Sequence, residues 1–135
     1  TTNENGRSEQ DIPALWGTFM AEGVLQKIPN KVDDTIYCMY TDYEKDYTKP
    51  YTTIIGCRVT SLENIPEGMI GKTIETGNYV KYVAKGNIMQ GAVQDTWKDI
   101  WNSDIQRVYI ADFDVYGVKA QDLENAEVDI FVSVG

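Results

Sequence analysis

Histidine is absent from the 135 residues of this chain, and cysteine is scarce, with two residues. The absence of histidine excludes a Ser-His-Asp triad and any histidine-ligated metal centre. The acidic residues show no spacing typical of a nucleophile and its base. We therefore predict no catalytic residue, no metal and no cofactor. The sequence favours a binding protein and leaves an enzyme as an open alternative.

Basic residues are also few, since 12 Lys and Arg stand against 21 Asp and Glu, which gives a formal net charge of −9. An acidic surface repels phosphate backbones, so the composition argues against direct binding to nucleic acid. Such a surface would attract cations, although a charge of this size also serves solubility alone.

Long apolar runs are missing as well. No stretch approaches the roughly 20 consecutive apolar residues that a transmembrane helix needs, so we predict no membrane span. Cys38 and Cys57 are expected to be reduced, half-buried thiols of a cytoplasmic protein. The alternative is a cross-strand disulfide, because the two cysteines would lie nearly opposite each other if Tyr43 and Tyr51 pair across a turn.

The most informative stretch runs from Gly91 to Tyr116. Its first part carries apolar side chains at the i, i+3, i+4, i+7 and i+8 positions of an amphipathic helix. Its second part, Arg107–Tyr116, reads as a strand that combines aromatic and acidic residues. Tryptophans beside a strand with two carboxylates suggest a pocket for a cationic, ring-bearing ligand.

The same helical stripe occurs earlier in the chain. Each of its five positions lies 81 residues before its counterpart: Ile12, Leu15, Trp16, Phe19 and Met20 against Val93, Thr96, Trp97, Ile100 and Trp101. A strand pair follows each helix, with strands predicted over residues 35–43 and 51–60, then 107–116 and 128–134. A further strand over residues 79–86 precedes the second helix. The order indicates an internal duplication.

These elements predict an α+β fold, with a single domain over residues 1–135 and pseudo-repeats of about 1–62 and 63–135. Each half is expected to be a β-α-β-β unit. Together they would form a curved antiparallel sheet with two main helices on one face and a groove between them. The leading strand of the first half would lie upstream of Thr1.

Strand periodicity selects the candidate site residues. Asp112, Asp114 and Tyr116 alternate with their neighbours and share one face of their strand. Tyr37 and Tyr82 are weaker candidates on central strands. The alternatives are that the two aspartates are exposed or pair with Arg107 or Lys119, and that the tryptophans are ordinary core residues.

Eight segments, in the same order along nearly the whole chain, resemble one known family: Thr1–Gly6, Ile12–Trp16, Ile36–Tyr43, Tyr51–Gly56, Gly77–Val80 with Lys85–Gly86, Thr96–Trp97, Asp112–Tyr116 and Val128–Val132. The family is the effector-binding domain of AraC-type and MerR-type multidrug-responsive regulators, also called gyrase-inhibitor-like. Stand-alone members exist, and some travel as integron mobile gene cassettes. The chain has no helix-turn-helix segment, so it resembles a stand-alone member.

The resemblance implies a pocket that binds lipophilic cations through a buried acid. That acid corresponds to Asp114, where the family usually has Glu, and Phe131 stands where it usually has Tyr. The expected ligand is a cationic amphipathic small molecule. An unpaired sheet edge at the missing leading strand would favour a homodimer or a regulator partner. The full set of candidate ligand-binding residues is Asp114, Trp97, Trp101, Trp16, Tyr116, Asp112, Phe131, Tyr82 and Tyr37.

Two further functions stay open. The first is a small-molecule hydrolase of the same fold, because some family members hydrolyse reactive small molecules with an acid and aromatic residues in this pocket. The second is an inhibitor or interaction module for a larger enzyme, in which an acidic surface would imitate nucleic acid. Turnover of electrophilic ligands would favour the first, and retention of a basic partner the second.

Overall fold

The structure is a computed structural model that describes residues 1–74, 77–122 and 124–135, apart from the side chain of Met89. Leu123, inside the predicted loop 117–125, lies outside the described residues. The named elements are helix α1 (Arg7–Ala21), helix α2 (Val24–Lys27), strand β1 (Ile36–Thr41), strand β2 (Thr52–Gly56), strand β3 (Asn78–Gly86), helix α3 (Ala92–Trp101), strand β4 (Ala111–Tyr116) and strand β5 (Ala126–Val134). The described part of the chain contains no helix that is long and apolar enough to cross a bilayer.

The five strands form one sheet in the order β2-β1-β4-β5-β3, and every pairing is antiparallel. The α+β prediction is therefore confirmed, and so is the order of a helix followed by a hairpin in each half. The hairpin β1–β2 belongs to the first half and the hairpin β4–β5 to the second. They meet along the central pair β1–β4, whose register runs from Ile36 opposite Tyr116 to Thr41 opposite Ala111.

Both main helices lie on one face of the sheet. From α3, the side chains of Val93, Trp97 and Ile100 are buried in a cluster with the core residues of β5. Trp16 of α1 contacts Tyr116 on β4 with ring centroids 4.9 Å apart. Each fully buried aliphatic side chain in such a cluster contributes roughly 1.5–3 kcal/mol. This helix-covered face carries the acids of β4.

The opposite face of the sheet carries four aromatic rings. Phe113 and Phe131 are cross-strand partners on β4 and β5 and stack with ring centroids 5.1 Å apart. Tyr79 contacts both rings, and Tyr37 contacts Phe113. These rings alternate with the helix-covered side chains, as the period of two in a strand requires.

Three predicted strands were too long, the first of which, predicted over residues 35–43, is Ile36–Thr41. Strand β4 begins at Ala111 rather than at residue 107, because Tyr109 adopts a left-handed backbone with φ of 56° that a strand cannot contain. Strand β2 ends at Gly56 rather than at residue 60. The thiols of Cys38 and Cys57 are free, and Ile55 rather than Cys57 lies opposite Cys38.

Candidate functional site

Asp114 lies wholly buried on the helix-covered face of β4, with 0% of its surface exposed. Its Oδ1 accepts a hydrogen bond of 2.9 Å from Nε1 of Trp97. Its Oδ2 accepts one of 2.8 Å from the hydroxyl of Tyr40. Both donors are neutral, and within the described residues no Lys or Arg forms an ion pair with this carboxylate. The acid therefore lacks a counter-ion.

Burial raises the pKa of Asp114 from its ordinary value of 3.8 to about 7. The two hydrogen bonds oppose this shift, and the nearby charge of Asp112 adds to it. Burial also raises the pKa values of Cys38, Tyr40 and Tyr116, the titratable groups around the acid, so these three stay protonated at neutral pH. Asp114 is consequently the group of this cluster that changes charge near pH 7.

The register of the central pair places the donors. Cys38 lies directly opposite Asp114, and Tyr40, two residues further along β1, shares its face. The thiol of Cys38 donates to the Tyr40 hydroxyl over 3.4 Å, and that hydroxyl donates in turn to Asp114. Trp97 reaches the acid from above because it belongs to the buried stripe of α3.

Aromatic rings from both helices flank the acid. Trp97 meets Tyr40 edge to face with ring centroids 5.4 Å apart. On the side of α1, Trp16 meets Tyr116 in the same manner. Trp101 lies one turn beyond Trp97 and instead stacks on Tyr47, with centroids 5.5 Å apart and planes 5° from parallel. Edge-to-face and offset-stacked pairs of this kind are favourable by roughly 0.5–1.5 kcal/mol.

Asp112 is also fully buried, but its surroundings differ. Its Oδ2 accepts hydrogen bonds from Arg107 Nη2 at 2.8 Å and from the Tyr43 hydroxyl at 2.6 Å. Its Oδ1 accepts from the backbone nitrogen and the hydroxyl of Ser133. The pairing with Arg107, one of the alternatives from the sequence, is what the structure contains. Asp112 is therefore a compensated acid rather than a free one.

Three predicted site residues lie away from the acid. Phe131 and Tyr37 are on the opposite face, because each is one residue out of step with the strand partner of Asp114, which is Ile130 on β5 and Cys38 on β1. The two rings therefore do not line a site on the face of Asp114, and the prediction that places them beside the acid is wrong. Tyr82 shares the face of Asp114, but β5 separates them and its ring packs against the core cluster.

Solvent does not reach Asp114, whose surface is 0% exposed, so the site is closed in this structure. Cavities occur elsewhere in the described chain. One of about 220 Å³ lies between α1 and β2 and is lined by Thr1, Asp11, Ile12, Leu15 and Thr53. Another of about 70 Å³ lies at the start of β3. In the described chain, Asp, Glu and Cys side chains nowhere gather in the groups of three or more that a metal site needs.

The sequence reasoning missed Tyr40 and Cys38 as parts of this arrangement, whereas it named Arg107 as a partner of the acids. Tyr40 could have been found from the strand pattern, because it and Tyr37 are three residues apart and cannot face the same side. Choosing between the two tyrosines requires the register of β1 on β4. That register depends on contacts between the two halves, which the local pattern does not contain.

An α+β fold of two helix-and-hairpin units around a buried acid and aromatic rings is typical of a small-molecule binding module. Residues 1–134 match the model of the Cass2 family, described as "Integron-associated effector binding protein". The chain belongs to this family. The fold also resembles the crystal structure of integron cassette protein VCH_CASS2, from the mobile metagenome of Vibrio cholerae, with a TM-score of 0.75 and 28% identity over 100% of this chain and 84% of that chain.

A curated relative comes from Bacillus subtilis (strain 168). It is named "Putative transcriptional regulator protein YobU" and is 25% identical over 129 residues, which cover 93% of this chain and 81% of that protein. Both comparisons span most of each partner, so the likeness concerns the whole fold rather than one motif.

Proposed function

We propose that this protein binds lipophilic, ring-bearing cations at Asp114 and serves as a stand-alone sensing module. The observation that carries the proposal is a fully buried carboxylate that has two neutral hydrogen-bond donors and, among the described residues, no cationic partner. The family match supports small-molecule binding as such. The class of ligand is inferred from the chemistry of the residues around the acid.

The electrostatics favour a cation over a neutral molecule of the same shape. An ionised carboxylate in a dry site costs several kcal/mol unless a charge or further donors compensate it. A ligand cation supplies that charge and restores the ordinary preference of Asp114 for its ionised form. Contact with the faces of Trp97, Tyr40 or Trp16 adds roughly 0.5–2 kcal/mol of cation–π attraction for each ring.

Entry of a ligand requires the closed site to open. Tyr47, from the loop that joins β1 to β2, and Trp101, from the end of α3, are both half-buried and stack on each other. Because Trp101 is one helical turn from Trp97, separating this pair exposes the edge of the acid's surroundings. We expect that opening to happen by rotation of side chains on a sheet that stays unchanged.

The test is a binding titration of a quaternary ammonium dye and its neutral isostere, followed by quenching of tryptophan fluorescence. The wild-type protein should bind the dye at least tenfold more tightly than the isostere. Its affinity should rise from pH 6 to pH 8, because the cation prefers ionised Asp114. Asp114→Asn should abolish both the preference and its dependence on pH.

Asp129→Asn is the matched control. It removes one carboxylate from the opposite face of the sheet, where Asp129 lies 3.7 Å from the ammonium of Lys81. Dye affinity should stay within about threefold of the wild-type value. Equal loss of affinity in both variants would assign dye binding to the overall negative charge and contradict the proposal.

The two alternative functions are separated by different readouts. Turnover of an electrophilic ligand, followed by mass spectrometry, would identify a hydrolase and should disappear in Asp114→Asn. Stoichiometric capture of a basic protein that survives this substitution would identify an interaction module. Neither outcome is expected if cation binding at Asp114 is the function.

A further inference from the structure

Arg107 brings a positive charge into the interior, and its side chain is only 4% exposed. It comes from the loop between α3 and β4. Its guanidinium carbon lies 4.4 Å from the ring centroid of Tyr109, 5.6 Å from that of Trp97 and 5.8 Å from that of Tyr47. We name these three rings, together with the Asp112 carboxylate that pairs with Nη2, the arginine cage.

The arginine cage holds its guanidinium by charge and ring faces rather than by a complete set of hydrogen bonds. Nη2 is bound to Asp112, whereas Nε and Nη1 are buried with no hydrogen-bond partner among the described residues. A guanidinium that serves only structure usually has most of its five donors satisfied. Three rings and one carboxylate around a cation are the chemistry of a cation-binding site.

The backbone around Arg107 is strained where it completes the cage. Tyr109 is left-handed, with φ of 56°, which is a marked outlier for an aromatic residue. The other described non-glycine residues in this region are all Asn or Asp, which tolerate it: Asn5, Asn30, Asp42 and Asn64. The strained turn places the Tyr109 ring directly over the guanidinium.

The arginine cage adjoins the acid of the proposed function. Asp112 and Asp114 point to the same face of β4 and are roughly 6–7 Å apart along the strand, since a strand rises about 3.3 Å per residue. Trp97 contributes to both the arginine cage and the Asp114 site, because its ring faces Arg107 and its Nε1 donates to Asp114. The two carboxylates thus form a pair of adjacent cation positions, one of which the protein fills with its own arginine.

We propose that Arg107 determines the charge of the ligand, which makes the site selective for monocations over dications. This inference rests on the proposed function, because it concerns the same carboxylate. With Arg107 in the cage, Asp114 is the single uncompensated acid and a second ligand charge meets the guanidinium. Without Arg107, the same face offers two carboxylates at a spacing that suits an aromatic dication.

The experiment uses two matched probes at pH 8, 4-methylbenzylammonium and p-xylylenediammonium, which differ by one ammonium group on the same ring. The wild-type protein should bind the monocation more tightly. Arg107→Met keeps the length of the side chain and removes its charge, and it should shift the affinity ratio at least tenfold towards the dication. Arg107→Lys keeps the charge and should keep the wild-type ratio.

Arg107→Met leaves the buried Asp112 carboxylate without its cation, which can prevent folding. A second pair of variants therefore gives an independent answer. Asp112→Asn leaves Arg107 without its counter-ion and should weaken monocation binding at least tenfold. The double variant Arg107→Met with Asp112→Asn removes both charges and should bind the monocation at least threefold more tightly than Asp112→Asn alone. Unchanged monocation affinity in Asp112→Asn would overturn the inference.

The two proposals fail in different ways. If the wild-type protein binds 4-methylbenzylammonium no better than 4-methylbenzyl alcohol, cation binding at Asp114 itself is refuted. If it prefers the monocation but Arg107→Met gives the wild-type ratio of affinities, only the role of Arg107 is refuted. A tenfold shift in Arg107→Met that is absent in Arg107→Lys supports the role of Arg107.

Discussion

Two carboxylates two residues apart on one strand have opposite surroundings in this protein. Asp112 accepts hydrogen bonds from Arg107, Tyr43 and Ser133, so its charge is compensated. Asp114 has two neutral donors and a pKa raised by burial to about 7. The difference arises from neighbours rather than from residue type, and it leaves Asp114 as the uncompensated acid of the pair.

The raised pKa of Asp114 predicts how stability depends on pH. The folded chain binds its proton up to about pH 7, whereas the unfolded chain releases it near the ordinary value of 3.8. Between these values the folded state therefore holds more protons, and the contribution of Asp114 to the free energy of unfolding falls as pH rises. It should fall by on the order of 4 kcal/mol and level off above pH 7.

Urea denaturation of the wild-type protein and Asp114→Asn from pH 4 to pH 8 measures this effect. The stability difference between the two proteins should move in favour of the variant as pH rises. The groups that face Asp114 do not produce that trend, since Cys38, Tyr40 and Tyr116 stay protonated throughout this range. Parallel curves for the two proteins would show that Asp114 is ionised in the folded state at pH 4.

For single residues, the sequence predicted which side chains of β4 share a face, but not those of the neighbouring strands. The period of two in a strand placed Asp112, Asp114 and Tyr116 on one face, and the structure agrees. The same rule could not place Phe131 or Tyr37, because a shift of one residue in the register moves a side chain to the other face. Their register depends on how β4 pairs with β5 and β1.

Among the elements, α3 carries the most information. Its stripe buries Val93, Trp97 and Ile100, and the same turn of helix delivers the Nε1 donor to Asp114. The helix begins after Gly91, whose φ of 94° turns the chain into its first turn at little steric cost. One element therefore serves both the core and the site.

Trp97→Phe separates these two roles. Phenylalanine keeps an aromatic ring in the core and removes the donor to Asp114, which should destabilise the protein by about 1–3 kcal/mol. It should also raise the pKa of Asp114 further, because the hydrogen bond from Trp97 lowers it at present. Denaturation at pH 5 and pH 8 should show a larger loss at pH 8, where the carboxylate is ionised.

Trp101→Phe is the matched control on the same helix. Trp101 stacks on Tyr47 and has no hydrogen bond to Asp114, so its loss of stability should be the same at both pH values. An equal dependence on pH in both variants would contradict the donor role of Trp97.

The helices and hairpins could be predicted because their signals are local. Apolar spacing gave α1 and α3, and β-branched and aromatic runs gave all five strands. The predicted start of β4 at residue 107 was wrong because the arginine cage holds Arg107 and the left-handed turn at Tyr109 interrupts the strand. Those contacts join parts of the chain that sequence windows do not compare.

For the whole molecule, the decisive feature is the central pair β1–β4. Six residue pairs join the two halves there, and the halves also meet where Tyr40 contacts Trp97 and Tyr43 binds Asp112. The order of the strands was not predictable from the sequence, because either hairpin could have paired along either of its edges. The repeated pattern in the sequence predicted two similar halves, but it did not predict that β1 and β4 pair between them.

This arrangement predicts that two fragments, residues 1–68 and 69–135, form the fold only together. The cut falls at Gly68, which is exposed and lies outside the named helices and strands. Each fragment alone leaves one edge of the central pair and the apolar face beneath the helices open to water. Mixing them should restore the tryptophan fluorescence spectrum of the intact chain with 1:1 stoichiometry.

Cys38→Asp in the first fragment provides the control. It places a carboxylate directly opposite Asp114 at the centre of the pair, where two buried negative charges repel each other. Reassembly should weaken at least tenfold. Native-like fluorescence of either unmixed fragment would show that the halves fold independently.

Asp114 lies on β4 and receives one hydrogen bond from each side of the β1–β4 boundary, from Tyr40 of the first half and Trp97 of the second. A ligand bound at this carboxylate, as proposed, would therefore contact both halves of the fold at once. Such a ligand would oppose any sliding of one half of the fold along the other. Resistance to mechanical pulling at the chain ends should then increase with occupancy, although no bond in either half has changed.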